Sequence, residues 1–172
     1  MKIVSKLDAG PVMMKSKINL SKNDNYESVN KALSILGAKM IVESLKLIEQ
    51  NKTKFIEQDE SLASYARKIN KSEAEINWNE KAKNIIAKIN AFYPSPGSWF
   101  KHNGNRIKIT KAKEMSLEGK PGEILKENFT IACQENSIEI LELQKEGKKK
   151  MKTSEYLKGN KLEIGSNVGK KL

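Results

Sequence analysis

The five residues Tyr93-Pro94-Ser95-Pro96-Gly97 divide the sequence into two regimes of hydrophobic period, and no other feature constrains the fold as much. Two prolines within three residues end a helix, because each lacks a backbone N–H and drives the residue before it into extended conformation. Upstream, Ala82, Ile85, Ile86 and Ile89 share one helical face, with Asn77 or Asn79 placed to cap it. Downstream, the period is two. Residues 98–101 and 106–113 flank His102-Asn103-Gly104-Asn105, and Asn-Gly between alternating runs predicts a tight hairpin. Pro121-Gly122 opens a strand over 123–126, and residues 129–134 and 137–143 alternate about a turn at Glu135-Asn136. Five or so short strands with one helix predict a small β-barrel of the oligonucleotide-binding (OB) type rather than a sandwich.

The N-terminal third reads differently. Residues 1–5 have the pattern of a strand end, Leu7-Asp8-Ala9-Gly10-Pro11 that of a tight loop in which Gly10 takes a conformation closed to other residues, and 12–20 that of a further extended segment. Asn25 is placed to cap a helix with Val29, Ala32, Leu33 and Leu36 on one face. Gly37 marks a stop or kink, after which Ile41, Val42, Leu45 and Ile48 continue the stripe. Amphipathic helices of this kind need a sheet to cover, and residues 1–36 offer at most two strands. Residues 1–50 therefore read as the end of a Rossmann-like α/β domain, 51–64 as a polar linker and 65–172 as the barrel domain, α+β overall. No internal repeat is visible.

Of 172 residues, 32 are Lys or Arg and 21 are Asp or Glu, a net charge of +11. The excess is uneven: residues 1–60 carry ten basic against eight acidic groups, whereas 61–172 carry 22 against 13. A basic later segment predicts attraction to phosphate-rich partners, nucleic acid first, through release of condensed counterions. Lys outnumbers Arg by 30 to 2 and Asn occurs 16 times, a bias that an A/T-rich coding sequence would also produce. Mean hydropathy is −0.61, and no apolar run approaches the ~20 residues of a membrane span. With no secretory segment at its start, the chain reads as soluble, cytoplasmic and monomeric. One Cys and one His exclude an internal disulfide and a structural zinc site, so no metal is expected.

Few residues offer chemistry. His102 falls in the predicted hairpin turn, where a solvent-exposed turn residue is expected rather than a general base. Cys133 falls on an alternating strand and is expected to pack. Asp8 follows a strand end, which suits either a turn-forming Asp or a catalytic group at the edge of an open sheet. Lys145, Lys148, Lys149 and Lys150 form a charge run after a strand, and Arg106 and Lys108 share a face by the period of two. These six are the candidate nucleic-acid contacts, with a merely solvated face as the alternative. Trp78, Trp99 and Phe100 read as core.

Four segments carry a resemblance. Ile3-Val4-Ser5-Lys6-Leu7-Asp8-Ala9-Gly10-Pro11-Val12 resembles the Asp-x-Gly loop of folate-dependent formyltransferases. Ser64-Tyr65-Ala66-Arg67-Lys68-Ile69 with Glu73-Ala74-Glu75-Ile76-Asn77-Trp78 resembles the entry to the C-terminal domain of one branch, the methionyl-tRNA formyltransferases. Residues 89–100 resemble that branch's Arg-Ala-Phe-x-Pro-x-Pro-Gly-Ala-Trp block, with Asn90 and Ser95 departing where Arg and Trp are usual. Leu143-Gln144-Lys145-Glu146-Gly147-Lys148-Lys149-Lys150-Met151, followed by Tyr156-Leu157 and Gly159, is similar to its Leu-Gln-x-x-Gly-Lys-Lys-x-Met ending.

The resemblance implies the last strand and helices of a formyltransferase catalytic domain, followed by the whole C-terminal domain. It implies transfer of a formyl group from 10-formyltetrahydrofolate to the methionine amine of initiator methionyl-tRNA in translation initiation, with Asp8 as the catalytic Asp that holds and polarises a His. The Asn and the His-Pro-Ser-Leu-Leu-Pro loop of that family do not occur in these 172 residues. The chain alone is therefore expected to be nearly inert, to bind the folate only weakly and to contribute mainly tRNA binding. A stand-alone RNA-binding barrel and a segment of a sugar-nucleotide N-formyltransferase are the alternatives.

Overall fold

The computed structural model describes residues 1–168, which divide into two compact units, residues 1–24 with 28–68 and residues 69–168 with 25–27. Every buried apolar residue lies between Ala74 and Val168.

The second unit is built from helix α2 (Ala82–Phe92) and strands β1 (Trp99–His102), β2 (Asn105–Met115), β3 (Ile124–Lys126), β4 (Thr130–Ala132), β5 (Ser137–Lys145) and β6 (Met151–Lys152), followed by the short helix α3 (Thr153–Leu157). The predicted face of α2 is the one that packs: Ala82, Ile85 and Ile89 are buried and Ile86 lies against the core. Neither Asn77 nor Asn79 caps it. Lys81 occupies the cap position, the Ala82 N–H donates to the Glu135 carbonyl at 3.1 Å, and Lys81 Nζ pairs with Glu135 Oε2 at 2.6 Å. The β4–β5 turn thus does what a local side chain was expected to do.

The hairpin forms at the predicted place. Asn103 and Gly104 have φ of 49° and 73°, the left-handed pair that a two-residue turn requires, and His102 pairs with Asn105. All strand pairs are antiparallel, in the order β1-β2-β5-β4-β3, with β6 also on β5. A register shift near Lys111 bends β2 against β5 and helps the sheet curl.

The sheet does not close, which corrects the expected OB-like barrel. It is a half-barrel whose edges stay 11 Å apart. Each edge is instead covered by irregular chain. On β1, Ile76 N–H donates to Trp99 C=O at 2.8 Å; on β3, Ile124 N–H donates to Ser166 C=O at 2.9 Å and Gly165 N–H to Ile124 C=O at 2.8 Å. With edge donors and acceptors satisfied in this way, β1 and β3 have no need to pair with each other.

Phe129 sits at the centre of the core, fully buried at a φ of 61°. Its ring lies 5.9 Å from Phe100, 5.4 Å from His102 and 6.1 Å, stacked, from Tyr156. Trp78 adds an edge contact to Phe100 at 5.4 Å. Cys133 is buried as expected, and burial pushes its thiol up to about 12.

His102 corrects a second expectation. Only Asn103 and Gly104 form the turn, so His102 remains in β1, two residues from Phe100 and in the same inward register, 6% exposed. Its Nε2 is buried without a hydrogen-bond partner, and burial lowers its pKa below the usual 6.5.

The first unit has no sheet. Residues 1–5 form no strand, and Val12 makes only an isolated bridge to Ile56. Helix α1 runs unbroken over Tyr26–Glu49, so Gly37 neither stops nor splits it, and α1 buries no residue. Its Leu33, Ile41, Val42, Leu45 and Ile48 are about half exposed.

His102 gives the fold a pH dependence whose sign is fixed. A histidine held neutral in the folded state binds its proton more readily when unfolded, so its contribution is full above the unfolded value and declines as pH falls through 6.5 toward the lower folded value. The thermal midpoint should therefore drop between pH 7.5 and 5.5. In His102→Leu, which leaves the chain without imidazole, that part of the drop should vanish; an identical pH profile in both proteins would contradict a buried neutral His102.

Candidate nucleic-acid interface

The β1–β2 hairpin presents two chemically opposite faces. Phe100, His102, Ile107 and Ile109 point to the core, so the intervening Trp99, Lys101, Arg106 and Lys108 occupy the other side. Register pairs Trp99 with Lys108 and Lys101 with Arg106, and Lys108 faces Gln144 on β5. Gln144 Nε2 donates to the Lys148 carbonyl at 2.8 Å, which ties the start of the lysine run to this face. The neighbouring Glu146 N–H donates to the Arg106 carbonyl at 3.1 Å. The arrangement joins Arg106, Lys108 and Lys148, which lie far apart in sequence, and adds Lys101 and Gln144, which sequence reasoning missed. Lys101 precedes the turn and could have been placed by the same period of two; Gln144 could not be recognised without the register.

A glycine makes room for this face. Gly97 has a φ of 77°, and a Cβ there would stand 3.1 Å from Lys108 Cδ and 3.3 Å from the Pro94 carbonyl. The Lys108 stem lies across the backbone of the helix-ending turn, which accounts for its partial burial.

Two of the six candidate residues are placed differently. Lys145 pairs with Ile107 and so belongs to the core-side register, half-buried at the strand end. Lys150 Nζ is 3.1 Å from Glu142 Oε2 and lies over the Tyr93 ring at 5.9 Å; the Glu142 hydrogen bond and charge raise its pKa. Lys113 is likewise paired, with Glu139 at 3.0 Å. Lys148 and Lys149 are exposed. Exposed pairs of this kind are worth roughly 0–1 kcal/mol, so their effect is to neutralise charge locally rather than to hold the fold.

Asp8 lies in the first unit, in a loop fastened at several points. Lys2 N–H donates to Pro11 C=O at 2.9 Å, and Gln58 Nε2 donates to the carbonyls of Asp8 at 2.8 Å and Gly10 at 2.7 Å. Lys6 Nζ pairs with Glu60 Oε1 at 2.9 Å, and its hydrogen bond and charge lower the Glu60 pKa. The left-handed residue of the loop is Asp8, with φ 56°, while Gly10 is required for closeness: a Cβ there would meet the Lys2 carbonyl oxygen at 1.8 Å. The Asp8 side chain is exposed beside a depression of about 800 Å³ lined by Met13, Met14, Gln58, Glu60 and Tyr65 among others. No His or Asn lines it, and the one His of the chain is buried in the second unit. The His and Asn that the resemblance pairs with this Asp are therefore not among the lining residues, and no transfer step is derived from them.

Among the described residues no group of His, Cys, Asp and Glu is arranged to hold a metal, and no helix is long and apolar enough to cross a membrane.

The chain is 42% identical over 169 residues to a methionyl-tRNA formyltransferase of Pelagibacter ubique, covering 98% of this chain and 54% of that protein. It is 37% identical over 171 residues to a methionyl-tRNA formyltransferase of Syntrophomonas wolfei, covering 96% and 54%. The chain thus spans about half the length of the curated relatives it matches. In fold it is similar to HypX from Aquifex aeolicus, solved in complex with tetrahydrofolic acid, with a TM-score of 0.67 at 20% identity over 90% of this chain and 28% of that one. Residues 68–161, more than half of the chain, match the family model described as formyl transferase, C-terminal domain, and the chain belongs to that family.

Proposed function

We propose that this chain is the tRNA-binding C-terminal part of a methionyl-tRNA formyltransferase, acting as a monomer on initiator methionyl-tRNA in translation initiation. The observation that carries the reading is the one-sided basic face of β1, β2 and the 146–149 turn, within a chain similar over nearly its whole length to enzymes of that name. Lysine ammonium groups suit phosphate as point charges and position a nucleic acid without reading its bases. Arg106, Lys108, Lys148 and Lys149 are the contacts this reading puts first. Lys145 and Lys150 come second, because one lies in the core-side register and the other is already paired.

In the same reading Asp8 is the catalytic Asp, carried on a loop whose backbone is fastened through Gln58 and Pro11. The His and Asn that the resemblance pairs with this Asp for transfer from 10-formyltetrahydrofolate are not among the residues lining the depression beside Asp8. Loss of even one oxyanion donor typically costs ~10²–10³ in rate. The 172-residue chain should therefore show no formyl transfer from 10-formyltetrahydrofolate, and Asp8→Asn should change nothing in it. Joined to the first half of a relative, it should gain an activity that Asp8→Asn removes. Turnover by the chain alone would place the active site elsewhere.

For tRNA binding, affinity should fall as salt rises, with a log–log slope near −0.7 to −0.9 per phosphate neutralised. Lys148→Ala with Lys149→Ala should weaken binding and reduce the slope, whereas Lys22→Ala with Lys31→Ala, which removes as many charges from the first unit, should leave both unchanged. Equal losses from the two pairs would return the lysine run to a solvated face.

A further inference from the structure

Arg106 differs from the lysines around it. Its guanidinium carbon lies 4.0 Å from the centroid of the Trp99 ring. Its Nε is buried with no hydrogen-bond partner, and so is Trp99 Nε1. Among the described residues no ion pair involves Arg106, although Lys81, Lys88, Lys113 and Lys150 in the same unit each have a carboxylate. Lys101 stands opposite it in register, and Lys108 follows two residues on along the same face. A planar cation is thus held over an aromatic ring, flanked by two further cations, with a donor already out of water.

Such a geometry suits one ligand chemistry. The ring face that Arg106 covers is closed to a stacking base. The guanidinium presents its N–H groups as a rigid fork, which matches two oxygens of one phosphate, while stacking limits the orientations lost on binding. A lysine at this position would offer charge without the fork, and would leave the Trp99 ring uncovered.

We infer that Arg106, positioned by Trp99, is a phosphate anchor for the RNA backbone within this face, distinct from the diffuse attraction of the lysines. The inference rests on the tRNA-binding reading and deepens it by assigning one site of geometric, rather than merely electrostatic, recognition. A phosphodiester of RNA and the phosphates of a free nucleotide share this chemistry; the neighbouring Lys101, Lys108 and Lys148 extend along strands and a turn, as a backbone track would require.

The test is fluorescence anisotropy on the full chain at one fixed ionic strength, with deacylated initiator tRNA transcript and, separately, uridine diphosphate as probes. Arg106→Lys keeps the charge and removes the fork; Arg106→Gln removes both; Lys101→Gln removes a neighbouring charge. Arg106→Lys should lose roughly tenfold in tRNA affinity, close to the loss in Arg106→Gln and larger than in Lys101→Gln, with thermal midpoints unchanged. Wild-type affinity in Arg106→Lys would overturn the anchor and leave Arg106 as one charge among several. A loss seen for uridine diphosphate and absent for tRNA would also overturn it. No tRNA binding by the wild-type chain would instead refute the underlying tRNA reading.

Discussion

The packing of Phe129 against Phe100, His102 and Tyr156 is the interaction on which the second unit depends. These rings come from β1, from the turn between β3 and β4, and from α3, so one cluster fastens both edges of the sheet and the final helix to a common centre. Burying rings of this size contributes more than any polar contact on the surface, and loss of a central Phe in such a core typically costs ~3–5 kcal/mol. The cluster also fixes the basic face. Because Phe100 and His102 must point inward, Trp99 and Lys101 must point outward, and the hairpin register then aligns Arg106 and Lys108 with them.

An open half-barrel is stable here because its edges are covered rather than joined. Ile76 on one side and residues 165–168 on the other satisfy backbone groups that a closed barrel would satisfy by strand pairing. Edge strands of four and three residues leave little ladder to close. The functional consequence is that the outward face of the β1–β2 hairpin is left partly exposed, bordered by the turn after α2 and by the 146–149 segment.

What the sequence made legible follows from how local each signal was. The α2 stripe, the Asn103-Gly104 turn, the alternation over 106–109 and the buried Cys133 all rest on periods or dipeptides within a few residues, and the structure places them as read, whereas the run 129–133 is buried throughout rather than alternating. His102 was misplaced by one position, since a two-residue turn claims only Asn103 and Gly104. The barrel failed for a longer-range reason: nothing in the polar Gly165-Ser166-Asn167 marks it as cover for β3, more than 40 residues upstream. Met151–Lys152 and α3 were hidden in the lysine-rich stretch. That Arg106 and Lys108 share one face was legible from alternation, whereas the separation of Lys145 from them and the pairing of Lys150 with Glu142 required register and distance.

The central claim is that RNA is held on one face of the second unit, and amide hydrogen exchange on the full chain with and without initiator tRNA tests it most directly. Bound tRNA should protect peptides spanning β1, the N-terminal half of β2 and residues 144–150, while α1 and the Asp8 loop exchange as in the free chain. Protection confined to residues 1–68, or spread evenly over all exposed lysine-bearing segments, would contradict the account.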